Sequence, residues 1–191
     1  MSALAWPFAI VKMAQIIDNP WAVGLNRATK AGEVLADVLR RRAEGGGRDG
    51  KEEIEPQPQG NRPTILVGYS LGALTIFRCL QVLAQNPANE GLIDSVVLLG
   101  GPFQGNQRDS WAAVRRVVAR RIVVGYSTND WILAYLYRVQ ALSIHMIGLT
   151  GVDDAVANPD GRIENVDLSD IVAYHSDYSL KLTEILDRVN I

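Results

Sequence analysis

Hydrophobic residues from about position 65 onward fall into short, nearly uninterrupted runs separated by stretches with helical periodicity. Short apolar runs without polar alternation are typical of strands buried on both faces, and intervening helices indicate that the strands are parallel. The pattern therefore predicts an α/β fold, with a parallel sheet of four to five strands and helices on both faces. The predicted strands are 65–67, 95–99, 121–125 and 143–148, with 163–166 as a further edge strand.

The periodic stretches predict helices with defined starts and buried faces. Asn19 before Pro20 is typical of a helix N-terminus, with Asn19 as the N-cap and Pro20 at the first helical position. The helix that follows is predicted to bury one apolar face, formed by Val23, Ala28, Ala31, Val34, Leu35, Val38 and Leu39. Later helices are predicted from Leu71 to about Ala84, from Trp111 (after a Ser110 cap) to about Ala119, from Trp131 to about Gln140, and from about Asp177 to Val189.

Composition divides the chain into three parts. Residues 43–62 contain glycines and charges with almost nothing to bury, which predicts a flexible insertion. Residues 1–42 are then expected to be an N-terminal helical segment that packs on an α/β core formed by residues 63–191. The apolar run 3–17 is interrupted by polar residues, and no segment reaches the roughly 18 apolar residues of a transmembrane span. We expect this run to be a core or interface helix, with contact to a membrane surface as the alternative.

The sequence from Gly68 to Gly72, GYSLG, lies between the first predicted strand and an apolar helix. A glycine–x–serine–x–glycine motif in this context is typical of the nucleophile elbow of α/β-hydrolases, where a sharp turn lifts the serine hydroxyl above the sheet. We expect Ser70 to hold a strained backbone conformation. Side chains two positions to either side would then collide, which accounts for glycine at both Gly68 and Gly72.

A serine hydroxyl needs a neighbouring base, itself oriented by a third group, before it can act as a nucleophile. The chain order in α/β-hydrolases is serine, acid, histidine, with both partners in loops after later strands. Asp130 follows the third predicted strand, and His175 follows the last strand and precedes the final helix. Because such loops meet at the carboxyl edge of a parallel sheet, we predict a catalytic triad of Ser70, His175 and Asp130.

Other residues offer alternatives for these roles. Asp130 could serve only as the N-cap of the helix starting at Trp131, or it could cap that helix and orient His175 as well. The second imidazole, His145, lies within a predicted strand and is expected to be structural, and Asp177 is expected to cap the final helix. The rival acids lie in loops without a preceding strand end, and they are Asp109, Asp153 and Asp154.

Charge and cysteine content narrow the function classes. A net charge of −2 and an isoelectric point near 5.7 provide no basic surface for nucleic acid. The single cysteine, Cys79, lies in an apolar helix and is expected to be a buried hydrophobic residue without a disulfide partner. The histidines are far apart, and no cysteine or carboxylate cluster shows metal-ligand spacing. We therefore expect an intracellular protein that uses no metal and no cofactor.

With these residues in place, the chain resembles the hydrolase domain of the transmembrane and coiled-coil domain-containing protein 4 family. The resemblance implies an α/β-hydrolase-like domain with a lipase or esterase role. It also implies membrane association in longer members, which carry hydrophobic segments upstream. The matching stretches are 17–21 (IDNPW), 26–27 (NR), 67–73 (VGYSLGA), 97–100 (VLLG), 124–131 (VGYSTNDW), 164–168 (ENVDL) and 175–176 (HS).

The oxyanion hole of such a site needs two backbone N–H donors. Leu71, directly after Ser70, is expected to supply one, whereas the second normally follows an earlier strand, and residues 1–62 contain no convincing strand run. We therefore expect a domain that lacks the early strands, and either the chain is N-terminally truncated or it finds the second donor elsewhere. Strand 65–67 is expected at an edge of the sheet, and the N-terminal helices cover that edge or it is left open for a missing segment. Expressed alone, the domain is expected to be poorly soluble or to turn over substrate weakly. The loss of one oxyanion donor lowers the rate by about 10²–10³-fold.

The first hypothesis for function is a serine hydrolase that attacks a carboxylic ester, either a small soluble ester or a lipid. The alternative is a catalytically weak or inactive adaptor in membrane trafficking that keeps the serine turn only as architecture. The full triad favours the enzyme, because an adaptor has no need for Asp130 and His175 at these loop positions. The apolar helix starting at Trp131 is predicted to lie in the core, with a wall of an acyl or lipid pocket as the alternative.

Overall fold

The structure, a computed structural model, describes residues 5–43, 63–139, 146–157 and 162–191, with side chains for 20–43, 63–136, 146–156 and 162–191. The predicted insertion lies outside these ranges except for its first residue. The strands are β1 (Ile65–Tyr69), β2 (Ile93–Leu99), β3 (Val118–Tyr126) and β4 (Ile163–Asp167). The helices are α1 (Ala5–Ala43), α2 (Leu71–Leu83), α3 (Arg108–Val117), α4 (Trp131–Val139), α5 (Ile147–Thr150), α6 (Asp154–Ala157), α7 (Asp177–Leu180) and α8 (Leu182–Arg188).

The described strands form one parallel sheet in the order β1-β2-β3-β4. The register aligns Val67 with Val97, Val97 with Val123, and Val123 with Glu164. Parallel neighbours need crossover connections, and α2 connects β1 to β2 while α3 connects β2 to β3. The α/β fold class that the apolar runs predicted is confirmed, with four strands among the described residues.

Side chains of the central strands alternate between two hydrophobic layers, one on each face of the sheet. Leu98 belongs to the layer under α2 and α3, where the rings of Phe77 and Trp111 pack with centroids 4.7 Å apart. Leu99, the next residue, belongs to the opposite layer with Ile185 of α8. Helices therefore cover both faces of the sheet, as predicted.

The described end of the apolar run 143–148 does not form the predicted strand. Residues 143–145 lie outside the described part, Met146 makes only an isolated antiparallel bridge, and α5 begins directly after it. A Cβ atom on Gly148 would lie 2.6 Å from the carbonyl carbon of Gly100, so the segment crosses closely over the end of β2 instead of pairing with the sheet. Periodicity alone does not separate a short buried strand from a short buried helix, which explains the wrong prediction.

Helix α1 differs from its prediction in both its start and its buried face. It runs continuously from Ala5, so Pro20, which was expected at the first position, lies inside it. The face towards α2 is formed by small residues spaced four apart, Gly24, Ala28, Gly32 and Ala36, followed by Leu39. The exposed residues include Val23, Ala31, Val34 and Val38, all of which were predicted to be buried.

The close contact between α1 and α2 explains why small residues are buried. A Cβ atom on Gly32 would lie 2.5 Å from the backbone oxygen of Thr75, and the Thr75 hydroxyl lies 3.2 Å from the carbonyl oxygen of Ala28. An ion pair between Arg78 and Glu33, at 2.8 Å, flanks this contact. Valines at the same positions would hold the two backbones apart, and α1 therefore turns its valines outward.

Two later helices also differ from their predicted limits. Helix α3 begins at Arg108 with Gln107 as its N-cap, and the predicted cap Ser110 lies inside the helix, where its hydroxyl contacts the Gln81 amide at 2.7 Å. The predicted final helix is divided into α7 and α8 at Lys181, whose φ of −110° is not helical. Helices α2 and α4 begin at the predicted residues.

Among the described strands, β1 lies at one edge of the sheet, as predicted. Its side chains alternate: Ile65, Val67 and Tyr69 are 46%, 39% and 43% exposed, whereas Leu66 packs against the core under α2. No strand among the described residues pairs with the outer side of β1. We call this outer side, together with the side chains of Ile65, Val67 and Tyr69, the open edge.

Candidate active site

Ser70 occupies the turn between the carboxyl end of β1 and the first residue of α2. Its backbone has φ 53° and ψ −125°, a positive φ that residues other than glycine rarely adopt. The neighbouring elements hold this conformation, because the Ser70 N–H donates to the carbonyl of Leu99 at 2.8 Å and the Ser70 carbonyl accepts the N–H of Ala73 at 3.0 Å. The turn therefore presents the Ser70 hydroxyl at the carboxyl edge of the sheet.

The glycines on either side of Ser70 differ in their surroundings. A Cβ atom on Gly68 would lie 2.8 Å from both the carbonyl carbon and the oxygen of Gly72, and 2.7 Å from Ile76 Cδ1. A Cβ atom on Gly72 would meet nothing within 4 Å. The steric explanation thus holds for Gly68 and is wrong for Gly72, because Gly72 lies on the exposed side of the first turn of α2.

Asp130 lies at the end of the loop that follows β3 and is fully buried. Its Oδ1 accepts the backbone N–H of Leu133 in the first turn of α4 at 3.1 Å, and its Oδ2 lies 2.6 Å from Nδ1 of His175. The sequence left open whether Asp130 caps a helix or orients the histidine. The same carboxylate does both.

His175 connects Asp130 to Ser70. Its Nε2 lies 2.8 Å from Ser70 Oγ, and its side chain is 17% exposed. Because a carboxylate only accepts hydrogen bonds, Asp130 places the imidazole proton on Nδ1 and leaves Nε2 to accept the serine hydroxyl. Such an arrangement can withdraw a proton from Ser70 and stabilise the imidazolium that results, which is the chemistry of acyl transfer.

The backbone N–H of Leu71 lies at the N-terminus of α2, next to Ser70. The first N–H groups of a helix have no carbonyl partner within the helix, and the helix dipole adds partial positive charge at the same end. Helix α2 is 13 residues long, so its dipole is well developed. This position can stabilise negative charge that forms beside the serine hydroxyl.

Asp177 shapes the loop that carries His175, instead of capping the final helix as predicted. Its Oδ2 accepts the N–H of Ala173 at 3.0 Å and that of the following residue at 3.2 Å, and Lys181 Nζ lies 3.6 Å away. Burial alone would raise the pKa of Asp177, but the two hydrogen bonds and the lysine hold it below its usual value. The N-cap of α7 is Ser176, whose side chain makes no capping bond.

Tyr178 packs beneath His175. The two rings meet edge to face with centroids 5.9 Å apart, and Tyr178 is fully buried against Gly100, where a Cβ atom would lie 2.5 Å from Tyr178 Cε2. Gly100 also has φ 53°, so this position favours glycine on two grounds. Burial, with the nearby charges of Asp130 and Asp167, raises the pKa of Tyr178 and keeps the phenol neutral.

The loop that ends at Asp130 begins with Ser127, a residue that sequence reasoning missed. Ser127 is fully buried, and its hydroxyl donates to the carbonyl oxygen of Val172 in the loop that carries His175, at 2.7 Å. A small polar residue at a strand end often marks a turn, and this is the one feature of the sequence that points to Ser127. The partner of the hydroxyl is a backbone group 45 residues away, which no local pattern reveals.

The alternative residues have other contacts. Asp109 lies in the first turn of α3, Asp154 begins α6, and Asp153 accepts the N–H of Ala155 at 2.9 Å. His145 lies outside the described residues. Burial raises the pKa of Cys79 to about 12, which keeps its thiol protonated. Within the described ranges, no three His, Cys, Asp or Glu side chains come together as a metal site.

Within the described ranges, no helix combines the length and the apolar character needed to cross a bilayer.

Comparison with protein-family models matches all residues, 1–191, to a family described as "Protein of unknown function (DUF726)". The chain belongs to the DUF726 family. No solved structure matches it.

Among relatives of this DUF726 chain, the Caenorhabditis elegans "Uncharacterized membrane protein F35D11.3" is 37% identical over 191 residues. The Oryza sativa "Transmembrane and coiled-coil domain-containing protein STS1" is 38% identical over 191 residues, and the Saccharomyces cerevisiae "Probable lipase MIL1" is 37% identical over 192. Each alignment covers 100% of this chain but only 28%, 26% and 16% of the respective relative. The resemblance to transmembrane and coiled-coil domain-containing proteins is thereby confirmed.

Proposed function

We propose that this DUF726 chain is the catalytic domain of a serine hydrolase that cleaves carboxylic esters. The main support is the series of hydrogen bonds from Asp130 through His175 to Ser70, at 2.6 and 2.8 Å. A purely structural role accounts poorly for this series, because a strained backbone such as that of Ser70 costs about 1–3 kcal/mol. An adaptor would gain nothing from that strain, whereas a nucleophile gains an exposed and oriented hydroxyl.

In the first half-reaction, Ser70 Oγ attacks the ester carbonyl carbon while His175 Nε2 takes the hydroxyl proton. Asp130 holds the imidazole in the required tautomer and stabilises the imidazolium. The Leu71 N–H donates to the oxyanion that develops on the former carbonyl oxygen. When the tetrahedral intermediate collapses, its C–O bond to the alcohol breaks, the alcohol leaves with the proton from Nε2, and the acyl group remains on Ser70.

In the second half-reaction, water attacks the acyl-serine carbonyl carbon. His175 Nε2 takes a proton from the water, and the Leu71 N–H again donates to the oxyanion. Collapse of this intermediate returns the proton from Nε2 to Ser70 Oγ and releases the carboxylic acid. The cycle consumes one ester and one water and regenerates the starting protonation states.

We propose further that the ester is a lipid and that the reaction takes place at a membrane. Each residue of the series is preceded or followed by an exposed aromatic side chain: Tyr69 before Ser70, Trp131 (52% exposed) after Asp130, and Tyr174 (60% exposed) before His175. Tyrosine and tryptophan favour the boundary between lipid and water. The relatives named as membrane proteins and as a probable lipase point the same way.

A fluorophosphonate probe tests the hydrolase proposal, because it reacts covalently with an activated serine and much more slowly with an ordinary one. We expect the wild-type chain to be labelled on the peptide that contains Ser70, as located by mass spectrometry. Labelling should disappear in Ser70→Ala and slow by about 10⁴-fold in Asp130→Asn, which removes the charge that orients His175.

Ser179→Ala is a matched control, because the exposed Ser179 hydroxyl contacts only the neighbouring backbone oxygen of Ser176, at 2.9 Å. Labelling that persists in Ser70→Ala, or that is absent from the wild-type chain, would contradict the proposal. A series of esters then tests the substrate class. Faster turnover of phospholipid in vesicles than of short soluble esters is expected, and the reverse order would reject the lipid while leaving the hydrolase in place.

A further inference from the structure

The loops that carry Asp130 and His175 are connected to each other by hydrogen bonds outside the Ser70–His175–Asp130 series. The backbone N–H of Thr128 donates to Ser169 Oγ at 3.0 Å, and the Asn129 amide donates to the Ser169 carbonyl at 2.8 Å. Thr128 Oγ1 also lies 3.1 Å from Ser169 Oγ, and the hydroxyl of Ser127 donates to the carbonyl of Val172 at 2.7 Å. The relative position of the two loops, and with it the distance between the carboxylate and the imidazole, depends on these bonds.

The Ser127 bond differs from the others because it is fully buried. Thr128, Asn129 and Ser169 are at least partly exposed, so water can replace the hydrogen bonds that they make. Ser127 and Val172 are both 0% exposed. A carbonyl that loses its donor at such a depth stays unpaired unless the loop moves, and an unpaired buried carbonyl is costly.

Ser127 also shapes the turn that presents Asp130. Its hydroxyl accepts the N–H of Asn129 at 3.2 Å, and its carbonyl accepts the N–H of Asp130 at 3.3 Å. Its own N–H donates to the carbonyl of Gly148 at 3.1 Å. The N–H, the carbonyl and the hydroxyl of Ser127 thus all form hydrogen bonds. A substitution at this position removes only the bonds of the hydroxyl.

The segment that receives the Ser127 bond leads directly to His175. Val172 lies three residues before the imidazole, and Asp177 Oδ2 holds the N–H groups of the two residues that follow Val172, including Ala173 at 3.0 Å. The segment is therefore held from one side by its own loop and from the other by Ser127. A shift of the Val172 carbonyl passes along this short, restrained backbone to His175.

We propose that Ser127 is a positioning residue, whose hydroxyl sets the contact between Asp130 and His175 by fixing the two loops relative to each other. Ser127 is fully buried, and the hydrogen bonds described for it all join it to backbone groups, so the proposed role is positioning and not catalytic. Its effect on catalysis rests on the proposed function, whereas its effect on the Asp130–His175 contact does not.

The test uses Ser127→Ala in the 191-residue chain and two readouts. The first is the Nδ1–H proton resonance of His175 in ¹⁵N-histidine-labelled protein, and the second is ester turnover. The sequence contains two histidines, so His145→Gln and His175→Gln assign the signals without ambiguity. In wild type we expect a His175 Nδ1–H that is protected from exchange with water, because it is bonded to a buried carboxylate.

In Ser127→Ala the protected resonance should move or exchange faster with water, because the carboxylate and imidazole are no longer held at the same distance. The kcat should fall by up to about 10²-fold with little change in KM, as expected when a catalytic group is misplaced without loss of a substrate contact. Ser169→Ala is the matched comparison, since it removes a hydroxyl from an exposed connection between the same loops. It should produce the smaller change in both readouts.

Ser127→Cys keeps the shape of the side chain but donates only a weak hydrogen bond. If Ser127→Ala does not fold, Ser127→Cys provides the test of the positioning role. A folded variant of either kind whose Nδ1–H resonance matches wild type overturns the proposal, and so does a wild-type chain without a protected Nδ1–H. A resonance that changes in a protein with no esterase activity supports the positioning role while contradicting the proposed function.

Discussion

At the scale of single residues, Ser70 and its neighbours show which side chains the site tolerates. Ser70 keeps a positive φ at a cost of about 1–3 kcal/mol, and the regular elements β1 and α2 hold it on either side. The tight turn brings the backbone of Gly72 within 2.8 Å of where a Gly68 side chain would begin. The crowding is one-sided, because Gly72 itself faces open space. The two glycines of the motif are therefore expected to respond differently to the same substitution.

Gly68→Ala should destabilise the chain by about 1–3 kcal/mol, because its Cβ would overlap backbone atoms that cannot move aside. Gly72→Ala should be neutral or stabilise by about 0.5–1 kcal/mol, since alanine replaces glycine at an unobstructed helical position. Urea unfolding of both variants measures the difference. Equal losses of stability would show that Gly72 is sterically restricted after all.

The residues brought together at the site were predictable to different degrees. Ser70, Asp130 and His175 could be placed from the sequence because each follows the end of a strand, and strand ends of a parallel sheet share one edge. Ser127 and the loop-shaping role of Asp177 could not. Their hydrogen-bond partners are backbone groups, which carry no signature in the sequence.

At the scale of elements, the contact between α1 and α2 is governed by small residues. Gly24, Ala28, Gly32 and Ala36 follow one another at intervals of four and bring the two helices close together. The hydrophobic periodicity predicted that the valines of α1 form this face, and that prediction was wrong. Small side chains let the backbones of α1 and α2 approach closely, and this close packing outweighs the larger apolar area that valines would bury. Four strands were predicted at the right places in the chain, whereas the apolar run 143–148 shows that such a run can also lead into a helix.

Gly32→Ala should cost about 1–3 kcal/mol of stability, because its Cβ would lie 2.5 Å from the backbone oxygen of Thr75. Gly24→Ala is the matched control in the same helix and gains the same helix propensity. Its Cβ would meet only the end of the Leu71 side chain, at 3.0 Å, which can move. Thermal unfolding followed by circular dichroism should give a lower midpoint for Gly32→Ala than for Gly24→Ala. The opposite order would show that α1 does not pack on α2 through Gly32.

At the scale of the whole molecule, the sheet is asymmetric. Strands β2 and β3 are paired on both sides and covered on both faces, whereas β1 has a partner on one side only among the described residues. The open edge combines backbone groups that no other described strand pairs with and the exposed side chains of Ile65, Val67 and Tyr69. An edge of this kind can pair with a strand of another molecule, and a net charge of only −2 provides little repulsion against such association.

The chain studied alone should therefore self-associate through the open edge, and Ile65→Lys should reduce that association. Ile65 is the first residue of β1 and is 46% exposed, so a lysine there can reach water while it disfavours strand pairing. Val34→Lys on α1 makes a similar apolar-to-lysine change at a more exposed site, 64%, that has no unpaired backbone. Size-exclusion chromatography with light scattering should show more monomer for Ile65→Lys than for Val34→Lys, at equal stability by circular dichroism. If both lysines raise the monomer fraction equally, association depends on net charge or general hydrophobicity, and the open edge is not its cause.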